Sequence, residues 1–459
     1  MSLSSSLSIA LQALLTDQGA MSVTSNNIAN VNTPGYTREV ANIDETPPVT
    51  LGNLQYGTGV ELASINSVRD NILQLRLDQE TQTQGKLNTF TSGMNQIQTL
   101  FNEPAGEGLQ SLISNFFNSF QQVATDPTNI GNRDAVISAG QSLAAGFNQS
   151  ANALLTQQQS ADQAVVQNVQ QINALTTQIA QLNGQISTAT GGGQNPNEFI
   201  DQRSELINQL SQIVDVHAIT ADGNSLTLTT NGGTLLVAGN QSFNLQTQTN
   251  ATTGFQDVYA QGTDITSSIQ SGSLAGNIQL RDQEIPSLLT SLNSLASGIA
   301  TAVNTQNAAG FDLSGNAGGN FFVPPASAAT AALNLSVAIS DPTKIAASAD
   351  GTSGNNANAT ALANLQNQSI VSGQNPISFY SGFVFQVGAD TANATSQLSG
   401  ENLLVQQLQD QINSISGVNL NLEGSNLVQY QTAYNAAAQV ASAVNNMFQT
   451  AINMVTVTT

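Results

Sequence analysis

The stretch from Leu420 to Val455 constrains the fold more than any other part of the chain. Apolar side chains recur there at alternating steps of three and four residues, and amide and hydroxyl side chains fill most of the positions between them. A seam of this period is typical of a helix that packs along its length against another helix. Its members are Leu420, Glu423, Leu427, Tyr430, Tyr434, Ala437, Ala441, Val444, Phe448, Ala451 and Val455, of which only Glu423 is charged.

This C-terminal seam needs a partner helix, because each large apolar side chain contributes roughly 1.5–3 kcal/mol only when it is buried. An isolated helix gains little stability from propensity alone. The start of the chain offers a seam of the same period, formed by Leu3, Leu7, Ala10, Leu14, Asp17, Met21, Thr24, Ile28 and Val31. Two matching seams predict one terminal coiled-coil module closed by both chain ends. Two unrelated amphipathic helices on a single globular core remain the alternative.

A break in the helical pattern separates the C-terminal seam from the helix before it. Apolar residues step by three and four from Val384 to Ile415, and the seam that starts at Leu420 is one residue out of phase with them. A slip of one residue turns the apolar face by about 100°. We therefore predict a joint with Gly417 as its hinge.

The middle of the chain predicts a helical bundle with an inserted β-rich region. Helical periodicity dominates from Ser67 to Val214, alternating residues flank the turn sequence Asn231–Gly233, and Leu333–Ile339 has the pattern of a strand. The expected fold class is mainly α with a smaller β domain. The predicted domains are a terminal coiled-coil assembly domain (1–45 plus 417–459), a helical bundle (46–214 plus 283–307 and 341–416) and a β-rich outer domain (215–282 plus 308–340).

The composition excludes several functional classes. The 459 residues suffice for two to four domains, yet they include only eight Lys and Arg and carry a net charge of −21. A cationic surface for nucleic acid or for an anionic membrane cannot be built from so few basic residues. The absence of cysteine excludes disulfides, thiolate zinc sites and cysteine nucleophiles. The first basic residue is Arg38, so we expect no cleavable signal peptide.

No group of residues in the sequence predicts catalysis, a cofactor or a metal site. His217 has no evident base or metal partner and is expected to be structural. The segment Asp312–Asn316 lacks the glycine at position six and the closing glutamate of a calcium loop, and it predicts a glycine-rich turn. Asp201, Arg203 and Glu205 have the spacing of surface ion pairs on a helix. We therefore predict that the protein is not an enzyme.

The segment that follows the first helix carries the most specific motif. It reads SNNIANVNTPGYTRE from Ser25 to Glu39, with more asparagines than a helix end requires. This string resembles the N-terminal signature of the bacterial flagellar axial proteins, which comprise the rod, hook and hook-associated proteins. The segments DQRSELINQLSQIV, GFDLSGNAGGNFF and the C-terminal seam resemble the hook-associated members.

The resemblance implies a secreted structural subunit that forms a ring-like layer between the hook and the filament of an extracellular flagellum. It implies contacts with copies of itself, with the hook protein and with the next hook-associated protein, after export in unfolded form by the flagellar export apparatus with an export chaperone. Nucleic acid and membrane are not expected partners. A flagellin-like filament subunit or an adhesin remains an alternative, as does an enzyme that uses carboxylates of the β domain.

The expected assembly interface comprises Leu3, Leu7, Ala10, Leu14, Met21, Asn27, Ile28, Asn30, Pro34, Gly35, Tyr36, Leu420, Leu427, Tyr430, Tyr434, Ala437, Ala441, Val444 and Phe448.

Overall fold

The structure is a computed structural model that describes residues 2–102, 108–220 and 225–456, and it begins with a long helix. Helix α1 (Leu3–Ala29) starts where Ser2 Oγ accepts a hydrogen bond from the Ser5 amide at 3.2 Å. Serine is favoured at this capping position because its side chain satisfies one of the free amides of the first turn. The predicted N-terminal helix is confirmed.

Two β-hairpins, one inside the other, follow α1. Strand β1 (Glu39–Glu45) pairs antiparallel with β4 (Val60–Ser67), and between them β2 (Val49–Leu51) pairs with β3 (Leu54–Tyr56). The domain boundary predicted after residue 45 therefore separates β1 from β4, although these two strands pair with each other. The β1–β4 hairpin lies along α1.

Four helices form the first part of the bundle. They are α2 (Asn71–Phe101), α3 (Leu109–Thr125), α4 (Ile130–Gly191) and α5 (Asn197–Ile213). Helix α4 is unbroken and takes part in two separate cores. Its N-terminal half packs in a core with α2 and α3, and its C-terminal half packs in a second core with α5 and the β domain.

Two small antiparallel sheets form the β domain, as the alternating pattern predicts. The turn Asn231–Gly233 joins two paired strands, and Gly233 donates its amide to the Thr230 carbonyl oxygen at 2.9 Å. The first sheet has the order β5–β6–β7–β8 and the second β9–β10–β11. The strands are β5 (His217–Thr220), β6 (Leu226–Thr229), β7 (Leu235–Ala238), β8 (Gln241–Ser242), β9 (Leu245–Thr249), β10 (Gln256–Ala260) and β11 (Thr263–Asp264).

The chain then returns to helix, through α6 (Gly272–Gln279) and α7 (Ile285–Ala308), which a π turn connects. Segment 308–340 corrects the sequence analysis. The predicted strand Leu333–Ile339 is not formed: a helical turn, α8 (Ala331–Asn334), overlaps its start, and Val337 makes only an isolated bridge with Phe322.

Side chains of helices take the place of a strand partner for this segment. Asn304 of α7 donates to the Phe322 carbonyl oxygen (2.9 Å) and accepts from the Phe322 amide (2.8 Å), and Asn148 of α4 donates to the Ala332 carbonyl oxygen (2.8 Å). Phe321 and Phe322 are fully buried, with ring centroids 5.4 Å from that of Phe116 in α3. The segment therefore packs in the helical core, and its assignment to the β-rich outer domain is wrong.

Three helices complete the chain: α9 (Ala357–Asn364), α10 (Pro376–Ser416) and α11 (Leu420–Thr456). Helix α10 packs along α2, and α11 packs along α1. The predicted break between the last two helices is confirmed, and so is the fold class, mainly α with terminal helices from both chain ends and a smaller β domain. None of the described helices is long and apolar enough to cross a membrane.

Candidate assembly site

The two predicted seams meet in the pair formed by α1 and α11. On α11, Val444 is buried and Leu420 is exposed, and Leu427, Tyr430, Tyr434, Ala437, Ala441 and Phe448 are half-buried. On α1, Ala10 is buried, Leu7 lies at the exposed edge, and Leu3, Leu14, Met21 and Ile28 are half-buried. The seam contacts are thus made within one chain, between its two ends.

A second side of α1 packs on the β1–β4 hairpin. Thr16 Oγ1 donates to the Val60 carbonyl oxygen at 3.3 Å. Gly19 allows the hairpin to approach α1 closely, because a Cβ at this position would lie only 2.7 Å from Leu62 Cδ2. Small residues therefore let the strands approach the helix closely. The seam of α1 did not predict this contact, because Thr16 and Gly19 carry no apolar periodicity.

The Pro34–Gly35 sequence forms the tight turn that leads from α1 into β1. The Tyr36 amide donates to the Thr33 carbonyl oxygen at 3.2 Å, and Gly35 has a φ of +74°. Proline at the second position and glycine with positive φ at the third are typical of a type II turn. Pro34 and Gly35 are exposed, and Gly35 lies next to the Glu205 side chain of α5.

Asn27 fastens this turn to the end of α1. Its side-chain oxygen accepts from the Tyr36 hydroxyl (2.8 Å) and from the Glu39 amide (2.9 Å), and its side-chain nitrogen donates to the Glu39 carbonyl oxygen (2.8 Å). Asn30 instead stabilises the C-terminal end of α1, because its side-chain nitrogen donates to the carbonyl oxygen and the side-chain oxygen of Asn26. Burial and the nearby carboxylates, Glu39 first, raise the pKa of Tyr36, so its hydroxyl stays a proton donor at neutral pH.

A second set of contacts fastens the turn to the bundle through Asp201 of α5. This carboxylate accepts from the Thr37 amide (3.0 Å) and hydroxyl (2.8 Å), and it pairs with Arg69 Nη2 at 2.7 Å. Burial raises the pKa of Asp201, and the charge of Arg69 and the Thr37 bonds oppose that rise. Arg69 also donates to the Asn197 carbonyl oxygen at 2.9 Å.

These contacts correct the assignment of Asp201, Arg203 and Glu205 to surface pairs. Asp201 and Arg203 are buried, and Arg203 donates to the Asn183 side chain of α4 at 2.8 Å. The helical spacing was read correctly, but nothing local in the sequence shows that the turn of residues 33–36 covers this face of α5. Arg69 was missed altogether, because a single arginine before a helix has no distinctive pattern.

The predicted joint lies directly against the turn. The Arg38 amide donates to the Ser416 carbonyl oxygen at 2.8 Å, which joins the entry of β1 to the end of α10. Gly417 has φ −72° and ψ 156°, values open to any residue, but a Cβ here would overlap the Asn413 carbonyl oxygen. Gly417 is therefore required for space. Its role as a hinge stays a prediction.

The joint also holds a buried carboxylate and a cavity. Glu423, the charged member of the C-terminal seam, is 1% exposed and adds its negative charge to the surroundings of Tyr36. A cavity of about 450 Å³ lies between the turn, α2, α5 and the end of α10, and Asp70, Asn208 and Asn413 are among its lining residues. Amides, carboxylates and one guanidinium thus fix the terminal module to the bundle.

Carboxylates lie close together where the β domain meets α4, although only Asp257 belongs to a strand of that domain. Asp257 lies 3.9 Å from the fully buried guanidinium of Arg281, which also binds Asp162 (2.8 Å) and Asp282 (2.7 Å). Arg281 faces these three acids with a single positive charge and donates to the Gln256 carbonyl oxygen at 2.6 Å. The arrangement ties the β domain to α4.

Comparisons with known families and proteins agree along the whole chain. The family described as flagellar hook-associated protein FlgK helical domain matches residues 94–322. The family of flagella basal body rod proteins matches residues 7–37, and the C-terminal family of the basal body rod FlgEFG proteins matches residues 409–454. Flagellar hook-associated protein 1 of Bacillus subtilis is 29% identical, over 97% of this chain and 97% of the relative.

Along nearly its whole length, the chain is similar to flagellar hook-associated protein 1. The Escherichia coli member is 28% identical over 98% of this chain and 100% of its own length. A solved structure, that of the flagellar hook junction protein FlgK from Burkholderia pseudomallei, has the same fold, with a TM-score of 0.68, 19% identity and coverage of 74% of this chain and 100% of that one. The hook-associated protein 1 family is one of structural flagellar proteins, and the resemblance read from Ser25–Glu39 is confirmed.

Proposed function

We propose that this chain is a structural subunit of the bacterial flagellum that forms the layer joining the hook to the filament. Its relatives support this role. They match this chain over nearly their whole length, and each is named flagellar hook-associated protein 1. Its partners would be copies of itself, the hook protein on one side and the next hook-associated protein on the other. Export by the flagellar apparatus with a chaperone, and a location outside the cell, belong to the same proposal.

One observation carries the proposal: the terminal helix pair is firmly fixed at its joint but incompletely covered along its length. Asn27, Tyr36, Asp201 and Arg69 hold the joint through hydrogen bonds of 2.7–3.0 Å. Away from the joint, large apolar side chains remain exposed, among them Leu15 (61% exposed) and Met447 (56% exposed). A fixed module with uncovered apolar faces suits a subunit that completes its core by contact with neighbours.

The flagellin-like filament subunit and the adhesin are not favoured. The relatives that match the whole chain are hook-associated proteins, and the fold agrees with that of a hook junction protein. A filament subunit would polymerise alone into long filaments, whereas a junction subunit stops at a short layer. The two roles therefore differ in where the protein lies along the flagellum.

The test is localisation together with genetic loss. Antibody against this chain should label a single band at the distal end of the hook, and cells without the chain should keep hooks but lose attached filaments. Expression of the intact chain in these cells should restore the labelled band and the attached filaments. Label along the whole filament, or filaments that stay attached in its absence, would refute the proposal.

A further inference from the structure

The turn between strands β6 and β7 carries an Asn–Gly pair, Asn231–Gly232. The backbone nitrogen that follows an asparagine can attack the carbonyl carbon of its side chain, because the product is a five-membered ring. Glycine in the second position hinders this attack least, since it has no Cβ. Asparagine is accordingly among the thermally labile residues of proteins. The sequence contains two such pairs, Asn231–Gly232 and Asn183–Gly184.

The pair in the turn is accessible to reaction. Asn231 and Gly232 are both exposed, and no described residue forms a hydrogen bond with the Asn231 side chain or the Gly232 amide. Hydrogen bonds fix the turn on either side of them: the Gly233 amide donates to the Thr230 carbonyl oxygen at 2.9 Å, and the Thr234 amide donates to Thr230 Oγ1 at 3.1 Å. The Asn231 side chain is therefore free to rotate towards the Gly232 nitrogen.

The second Asn–Gly pair is held in place, although its two residues are the same. Asn183 is 2% exposed and lies within helix α4, where the Gly184 amide donates in the helical hydrogen-bond pattern. The Asn183 side-chain nitrogen donates to the carbonyl oxygens of Leu226 (3.1 Å) and Gly239 (2.8 Å). Its side-chain oxygen accepts from Arg203 at 2.8 Å. A ring can form at Asn183 only after these contacts break.

A buried carboxylate binds the backbone of Asn231. The Asn231 amide donates to Asp215 Oδ2 at 3.0 Å. Asp215 is fully buried, its Oδ1 has no hydrogen-bond partner among the described residues, and burial raises its pKa to about 6. No described cation pairs with this carboxylate. A second negative charge at position 231 would therefore be unfavourable.

We propose that Asn231 deamidates without an enzyme and that its product loosens the β6–β7 turn. The Gly232 nitrogen loses its proton to solvent and bonds to the side-chain carbonyl carbon of Asn231; the carbon–nitrogen bond of the side-chain amide breaks, and ammonia leaves with a proton from water. Water then opens the ring at either carbonyl and leaves aspartate or isoaspartate. Both products carry a negative charge close to Asp215, and isoaspartate also lengthens the backbone of the turn. This modification site is independent of the proposed function.

Mass spectrometry of the purified full-length chain tests the reaction. The chain is incubated in mildly alkaline buffer, and the fraction of each asparagine that has become an acid is followed over time. Asn231 should convert about a hundredfold faster than Asn183, because three hydrogen bonds hold the Asn183 side chain and each shifts a local equilibrium about fivefold. In guanidinium chloride, where both pairs are unfolded, the two rates should become similar. Equal rates at the two asparagines of the folded chain would overturn the inference.

Amide hydrogen exchange tests the effect on the turn, with Asn231→Ser as the matched control. Serine is accepted in turns, but its side chain has no amide that could react. After equal incubation, residues 226–238 should exchange about tenfold faster in the unaltered chain than in the control, since a hydrogen bond to a charged group is weakened. Helix α3 should exchange alike in both. A chain that has converted at Asn231 and exchanges no faster than the control would show that the product does not loosen the turn.

Discussion

At the residue scale, single side chains hold the joint between the terminal helix pair and the bundle. Asn27 alone makes three hydrogen bonds of 2.8–2.9 Å, to the Tyr36 hydroxyl and to both backbone groups of Glu39. An asparagine can do this because its side chain offers a donor and an acceptor at once. The abundance of asparagine in the motif was visible in the sequence, but its partners were not.

Asp201→Asn should loosen the turn. The substitution leaves the half-buried Arg69 without its counter-ion and weakens two bonds from Thr37. We expect a local loss of about 2 kcal/mol, since hydrogen bonds to charged groups contribute about 1.5–3 kcal/mol. Amide hydrogen exchange of residues 30–40 should accelerate roughly thirtyfold. Glu205→Gln, one turn further along α5, should change it little, and equal exchange in the two variants would contradict the assigned role of Asp201.

Gly417→Ala should disturb the joint because its Cβ would overlap the Asn413 carbonyl oxygen. Relief of that overlap requires the last turn of α10 to open, at a cost of about 1–3 kcal/mol. The matched control is Gly424→Ala in α11, where a Cβ has open space and alanine favours the helix by up to about 1 kcal/mol. Proteolysis at residues 416–420 should speed up only in the first variant. A protease-resistant joint in Gly417→Ala would show that the space is not needed.

Glu401 of α10 should make stability depend on pH. Burial, and then the charge of Glu80 on α2, raise its pKa to about 7 from the ordinary 4.5. The folded chain therefore binds this proton more tightly than the unfolded chain, and the associated stability is lost as pH rises from about 4.5 towards 7. Glu401→Gln should raise the melting temperature above that of the unaltered protein at pH 8 and leave it nearly unchanged at pH 5. The same gain at both pH values would contradict the raised pKa.

At the element scale, the 3.5-residue period of the two seams indicated the pairing of α1 with α11, with two unrelated helices on one core as the alternative, and the structure shows the pairing. It worked because every seam position needs the same partner, so the signal accumulates over many turns. It failed for Leu333–Ile339, where a short alternating run was read as a strand but asparagines of α4 and α7 bind its backbone instead. Such side-chain partners are far away in the sequence and leave no local pattern.

Val444→Asp should separate the terminal pair. Val444 is 6% exposed against α1, and a buried, unpaired carboxylate costs several kcal/mol. Circular dichroism should show some loss of helix while the bundle keeps its own melting transition, and incorporation into flagella should stop. Asn445→Asp adds the same charge at an exposed neighbouring position and should incorporate normally. A Val444→Asp chain that incorporates as well as this control would show that the pair is not needed.

At the scale of the whole molecule, the described residues divide into two tightly packed cores and a terminal module attached at one joint. The first core contains Phe116, Phe147 and Phe321, all fully buried. Among the described residues of α11, by contrast, Val444 is the only buried apolar residue, at 6% exposed. The helical periods predicted a terminal module apart from the bundle, but they did not predict that one helix, α4, takes part in both cores. They could not predict that Asp201 and Arg69 make the attachment, since that depends on which helix face the turn covers.

Hydrogen exchange measured by mass spectrometry on the purified chain, and again on the chain within isolated flagella, tests most directly whether the terminal helices are completed by neighbouring copies. In the free protein, α1 and α11 should exchange together and much faster than α3 and the first half of α4, which lie in the core. Within the flagellum, both terminal helices should become strongly protected. Terminal helices as protected as the bundle in the free protein, with no further protection after assembly, would contradict this conclusion.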